Sequence, residues 1–358
     1  MTNFDLAHAR LVNQGIVPGH LTTPSAVVAW LGAMQGQDYA GAKWAVGLRL
    51  PGSTDATIEA AFHAKTIIRT WALRGTLHLV AATDLRWLLA LLAPRLIAGN
   101  ARRYRELQLD EATFGRSNDL LAAVLQGGQP LDRPALLAHL EQAGITTTGQ
   151  RGVYMLQRAS LDGLICQGVA VRNVPTFMAL DASIAQGNTL TREEALAELA
   201  QRYFTSHGPA TLKDFIRWSG LTTDDARAGL AASSAALQQI PVNDQTYWLA
   251  QDPPTASQPP QPLYLLPGFD EYLLGYADRS AVLDPQYANH IVPGGNGIFY
   301  PTIVSKGQVV GTWQRTFKKG AVVITPHPFT TLQPDVQEAF VRAAERFSAY
   351  LEMPGQVA

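Results

Sequence analysis

Two glutamines separated by one residue, Gln35 and Gln37, stand in the run Met34-Gln35-Gly36-Gln37-Asp38-Tyr39. A side-chain amide offers a carbonyl oxygen as acceptor and an NH2 as donor, and it is not a strong base. Two such amides aimed at one point can orient a water and stabilise positive charge that develops beside it. Asp38, next in line, adds a carboxylate that serves either as general base or as a structural acceptor. The plainer alternative is that both glutamines are ordinary polar residues at a helix end. On a continuing helix, residues i and i+2 point about 200° apart, because each residue turns the chain by roughly 100°. The two amides can share a target only if the helix ends between them, and Gly36 is the residue expected to end it.

The elements that must position this pair follow from periodicity. Thr23 and Pro24 read as N-cap and first helical residue. Val27, Trp30, Leu31 and Met34 then repeat along one face, which predicts a helix over 24–34. Helices are also expected over 5–14, 41–50 and 57–67. The period then changes. Ile67 to Leu73 and Thr76 to Val80 are β-rich runs joined at Arg74-Gly75, a hairpin signal. Helices followed by a short hairpin are the outline of a winged helix. Thr83-Asp84 starts another helix, and 97–107 carries the basic cluster Arg102, Arg103 and Arg105. The pattern recurs with helices over 131–143 and 149–163 and strands at 164–166 and 176–180. It recurs again with a helix over 191–206, a helix-turn-helix from Gly208 to Arg227, and strands from Ile240 to Ala250. Within that third unit Thr211 is the cap, Ser219-Gly220 the turn and Thr223 the start of the second helix.

Residues 251–262 hold five prolines and read as an extended linker. Strand-like runs follow at 263–266, 297–304, 308–316 and 321–326, with turns at Ser305-Lys306-Gly307 and Lys318-Lys319-Gly320. A closing amphipathic helix covers 333–352. The expected class is α+β: three tandem winged-helix modules, a small antiparallel β-barrel and a C-terminal helix. The expected divisions are 1–82, 83–185, 186–250, the linker 251–262, and 263–358.

Composition narrows the function. The chain has 358 residues, 47% of them apolar and only 16% charged, with net charge −1. The total gives no sign of a polyanion partner, although a local basic stripe can bind phosphates within a neutral protein. The single cysteine, Cys166, rules out an internal disulfide and any Cys-based zinc site, and its apolar neighbours suggest a buried thiol. The histidines do not fall at metal spacing, and no metal or cofactor is expected. There is no phosphate-binding Gly-rich loop, no GxGxxG after a strand and no Gly-x-Ser-x-Gly. The start of the chain lacks the apolar core of a signal peptide, and the most apolar stretch, 87–98, is too short to span a bilayer. A cytoplasmic monomer with no membrane partner is expected. Asp270 and Glu271 read either as acids or as loop-anchoring carboxylates, with the anchoring role favoured.

Several segments together resemble a known family. They are Gln35 to Tyr39 with Lys43-Trp44-Ala45, Arg74 to Leu79, Gly268 to Tyr276, Asn296 to Phe299, and Gly311-Thr312-Trp313. In this order they are similar to the AlkZ-like winged-helix DNA glycosylases, from about residue 5 to about residue 350. The resemblance implies tandem winged helices and a β-barrel around a DNA channel. It implies excision of N7-alkylated purines from double-stranded DNA, including unhooking of interstrand crosslinks. It makes Gln35 and Gln37 the catalytic pair, with Asp38 as support. Tyr300 departs from the pattern, standing where many relatives carry a basic residue. Charge and position nominate Lys43, Arg74, His78, Arg102, Arg103, Arg151, Arg158, Arg279, Lys318 and Lys319 as DNA contacts. Two other readings compete. One is a winged-helix transcription regulator without catalysis. The other is a protein that sequesters the free alkylating agent and ignores DNA.

Overall fold

The computed structural model describes residues 3–171, 174–180, 187, 189–242 and 244–358. The chain divides into two compact units, Met1–Glu59 with Leu196–Ala358, and Ala60–Ala195. The expected division at 185/186 lies outside the described residues.

The first unit opens with α1 (Asn3–Asn13) and α2 (Pro24–Trp30). The Thr23 hydroxyl caps α2 by accepting the Ala26 N–H at 3.1 Å. The helix ends four residues before the expected position. Gly32 adopts φ +75°, a left-handed conformation that a side chain would resist. The chain leaves this turn extended, as the short strand β1 (Met34–Gln35). It then enters α3 (Tyr39–Leu48) and α4 (Asp55–His63), which runs to the unit boundary. Gly32 rather than Gly36 therefore stops the helix, and the glutamine pair begins on extended backbone, where alternate residues share a side.

The second unit contains β2 (Ile67–Trp71), β3 (Leu77–Ala81), α5 (Leu85–Gly99), α6 (Ala101–Glu106) and α7 (Glu111–Leu125). It continues with β4 (Leu131–Asp132), α8 (Arg133–Gln142), α9 (Arg151–Leu161), β5 (Ile165–Val171) and β6 (Val174–Ala179). The first hairpin is in register from Ile67 opposite Ala81 to Trp71 opposite Leu77. Its turn uses positive φ at Arg74 and Gly75. The two expected hairpins are joined: Arg69 pairs with Gln167 across β2 and β5, so the strands lie in the order β3-β2-β5-β6-β4. Phe114, Leu121, Leu136, Leu140, Met155, Leu156 and Phe177 fill the core beneath them. Cys166 is buried on β5 and forms no disulfide.

The chain then enters α10 (Arg192–Ser206), α11 (Leu212–Ser219), α12 (Thr223–Ala232) and the hairpin β7 (Leu237–Val242) and β8 (Gln245–Ala250). Thr211 and Asp214 form a reciprocal capping box at the start of α11, and Gly220 closes that helix in the left-handed region. The helix-turn-helix is thus where the residue types put it. Among the described residues, a run of helices followed by an antiparallel hairpin occurs three times along the chain: α1–α4 before β2–β3, α5–α9 before β5–β6, and α10–α12 before β7–β8.

The β-rich end comprises β9 (Leu263–Leu266), the single turns α13 (Glu271–Leu274) and α14 (Ala288–Ile291), β10 (Thr302–Ser305), β11 (Gln308–Lys318), β12 (Ala321–Pro328), α15 (Pro334–Tyr350) and β13 (Gly355–Val357). The strand order is β13-β12-β11-β10-β9, antiparallel except that β13 runs parallel to β12. The sheet is open, a half-barrel whose edges β9 and β13 both pack against α15. Residues 297–301 are irregular, and only the end of the expected 297–304 strand pairs. Leu11, Val17, Leu266, Tyr272, Val282, Phe299 and Val304 share one core, so α1 packs into this half of the unit.

Candidate active site

β1 is anchored from its backbone. The carboxylate of Glu271, 1% exposed, accepts the Gln35 backbone N–H at 2.9 Å through Oε1. Its Oε2 accepts the Trp218 indole N–H, also at 2.9 Å, and lies 3.5 Å from His207 Nε2. One buried side chain thus ties β1 to Trp218 of the helix-turn-helix. Burial keeps the His207 imidazole below its usual range, with Glu271 pulling the other way. His207 Nδ1 shares a hydrogen bond with Ser206 Oγ, and its ring stacks on Tyr203.

Glu271 is held in turn. Asp270, one residue earlier, caps α13 by accepting the Tyr272 N–H. It also forms a two-pronged ion pair with the buried Arg49, at 2.9 and 3.0 Å. Arg49 donates further to the carbonyls of Gln14 and Ala45. The Tyr272 hydroxyl donates to Gly307 O, and the Tyr276 hydroxyl to His207 O. Gly268 to Tyr276 is therefore a scaffold for β1, as the anchoring reading of its two acids anticipates.

Gln35 is buried, at 8% exposure, while Gln37 is exposed and Asp38 half-exposed. Asp38 precedes α3 in extended conformation, and its carboxylate accepts from Arg315 at 3.3 Å. A built Cβ on Gly41 would lie 2.5 Å from Asp38 Oδ2, so a side chain there would push this carboxylate aside. Asp38 borders a cavity of about 510 Å³ whose walls include Tyr300, Gln314, Arg315 and His327. Among the described residues, no group of three or more His, Cys, Asp or Glu side chains is arranged to hold a metal.

The nominated cations fall into different environments. Lys43 is buried and bonded at 2.7 Å to both Asp55 and Glu59. Burial alone would lower its pKa, but the two carboxylates carry it above the usual value. Lys43 is thus committed within its own unit, as is its neighbour Trp44, whose indole donates to Leu265 O. His78 is fully buried, with Nδ1 at 3.0 Å from Thr76 O and Nε2 at 3.4 Å from Arg74. Arg151 donates to the backbone carbonyls of Thr146, Leu107 and Gln108. Arg158 grips Glu111 with two bonds, also bonds Asp162, and covers the Phe114 ring. Its pKa rises, chiefly through the Glu111 bond, and that of Glu111 falls correspondingly. Each of these four side chains is bonded to groups within its own unit. Arg102 is exposed and paired to Glu106, while Arg103 bonds Glu106 and Gln150. Lys318 and Lys319 are exposed at the β11–β12 turn, and Arg279 is mostly buried.

A family model described as DNA glycosylase AlkZ-like matches residues 28–350. The chain belongs to that family. An interstrand DNA cross-link repair glycosylase from Streptomyces sahachiroi is 26% identical, covering 96% of this chain and 93% of that protein. The solved structure of the Streptomyces sahachiroi DNA glycosylase AlkZ superposes with a TM-score of 0.81 at 22% identity, over all of both chains. The chain is accordingly a DNA glycosylase, a hydrolase of N-glycosyl bonds that acts on DNA. Arg49, His207, Trp218 and Arg315 escaped the sequence reading. Arg49 carried one signal, a charge inside the apolar run Gly47-Leu48-Arg49-Leu50.

Proposed function

We propose that this glycosylase removes N7-alkylated purines from double-stranded DNA, including bulky adducts and crosslinked bases, and acts as a monomer. The observation that carries the reading is the Glu271 clamp, which fixes the strand bearing Gln35, with Gln37 two residues further on. Alkylation at N7 makes the purine cationic and a ready leaving group, so the enzyme has no need to protonate it. Water attacks the anomeric carbon as the bond to N9 breaks. The bonding pair neutralises the purine, and the water loses a proton. Gln37 orients that water, and Gln35 supports it or the sugar through its carbonyl oxygen. Asp38 is the adjacent carboxylate that takes the proton, and Arg315 fixes its direction. The cavity beside Asp38 gives an adduct room without a tight base pocket, which suits a crosslinked base that cannot rotate freely.

Three winged-helix modules account for the repeated helix and hairpin order. Arg102, Arg103, Arg74, Arg279, Lys318 and Lys319 are the cations we place against phosphates. The test compares duplexes carrying 7-methylguanine, an N7–N7 crosslink or a neutral lesion such as uracil. Release from the first two with none from uracil supports the proposal. Equal release of uracil overturns it, because a neutral base needs an acid that the amide pair does not supply.

A further inference from the structure

The segment Asn296 to Phe299 plays no part in the glutamine site, yet it borders a second cavity of about 570 Å³ in the first unit. Two guanidiniums face this space, Arg217 from the last turn of α11 and Arg279. Arg279 Nε donates to Leu273 O at 2.7 Å, and its guanidinium lies 4.9 Å from the centre of the Phe299 ring. Its Nη2 is buried with no hydrogen-bond partner. A buried donor left without an acceptor has lost its bond to water and gained none in return, and the loss is greater when the donor is charged.

Asp214 and Asp278 support the Arg279 charge through space but give Nη2 no hydrogen bond. The Asp214 carboxylate accepts from Thr211 and from the backbone N–H groups of Ala277 and Asp278. Asp278 also lines the cavity, but it accepts the Ser280 N–H and forms no ion pair with Arg279. Burial lowers the Arg279 pKa to about 10, and the neighbouring Arg217 charge pushes the same way. An oxyanion relieves both the orphaned donor and the repulsion. The forked donors of two arginines match the oxygens of a phosphate group. The volume lies in the range of small-molecule sites, roughly 300–1,000 Å³.

We infer that Arg217 and Arg279, with the glycine-rich rim at Gly295 and Gly297, form a phosphate-binding pocket that uses no residue of the glutamine site. The phosphate comes from the DNA backbone or from a free phosphate compound. The DNA case rests on the glycosylase reading and the other does not. Two measurements on the full chain separate them: calorimetric titration with inorganic phosphate, and anisotropy of an undamaged duplex over a salt series. Both are run on wild type, Arg279→Met and Arg217→Gln. Arg217 is exposed, so its variant tests the pocket even if Arg279→Met folds poorly.

A DNA phosphate predicts that each variant lowers the slope of log affinity against log salt by about one. A free phosphate compound predicts saturable phosphate binding that weakens about tenfold in each variant, with the slope unchanged. No phosphate binding by wild type together with unchanged slopes overturns the inference. If wild type binds no DNA at all, the glycosylase reading fails, and the calorimetry alone decides the pocket.

Discussion

Glu271 satisfies two donors with two oxygens, the Gln35 backbone N–H and the Trp218 indole. In Glu271→Gln one of those oxygens becomes an NH2 that faces a donor. Leaving a buried donor unmet costs about 1–3 kcal/mol, which a denaturant titration reads directly. Because one of the two donors belongs to β1, the single-turnover rate should fall at least about tenfold with duplex affinity unchanged. A stability loss with an unchanged rate would make Glu271 a purely structural residue. His207 gives a pH dependence. Burial lowers its pKa in the folded state, so the unfolded chain binds a proton that the native protein refuses. Its contribution is complete above the unfolded value of about 6.5 and is lost as pH falls through that value towards the lowered one. The denaturant midpoint of wild type should therefore drop from pH 7.5 to pH 5.5, and less so in His207→Gln. The glutamine pair was singled out by the family resemblance, since its residue types alone fit an ordinary helix end. Its clamp was not legible, because Gln35 and Glu271 lie 236 positions apart and periodicity speaks only of near neighbours.

At the scale of elements, Gly32 does what Gly36 was expected to do. It ends α2 in the left-handed region and sends the chain into β1, packed 3.4 Å from the Trp218 ring by a built Cβ. Gly32→Ala should cost about 1–2 kcal/mol from the left-handed backbone, measured by denaturation. It should also slow base release, since β1 follows two residues later. Full activity with full stability would contradict this account of the turn. The helix-turn-helix was readable because its caps are local: Thr211 and Asp214 lie three residues apart, and Gly220 ends the helix on its own conformation. α7 was missed. Phe114, Leu121 and Leu125 are its buried face, but the polar run Gly115-Arg116-Ser117-Asn118-Asp119 hides the period. β13 pairs only through the distant β12, so no local pattern announces it. Arg151 and Arg158 were legible as charges and not as pins. Their partners are backbone carbonyls and acids on other elements.

For the whole molecule, a net charge of −1 means that DNA affinity must come from a few local cations. Lys318 and Lys319, both exposed at the β11–β12 turn, are among the cations we place against phosphates. Replacing both by alanine should reduce the salt slope of duplex binding by about two, since each phosphate contact contributes about 0.9. It should leave the rate at saturating enzyme unchanged. An unchanged slope would move the DNA contact elsewhere. The central claim is that the Gln35 and Gln37 amides carry out the hydrolysis. Its most direct test is single-turnover release of 7-methylguanine from methylated duplex by wild type, Gln35→Ala and Gln37→Ala, with duplex affinity measured alongside. Release by wild type is expected, with a loss of about a hundredfold or more in Gln37→Ala at retained affinity, the scale of removing an oriented catalytic group. Wild-type rates in both variants would contradict it.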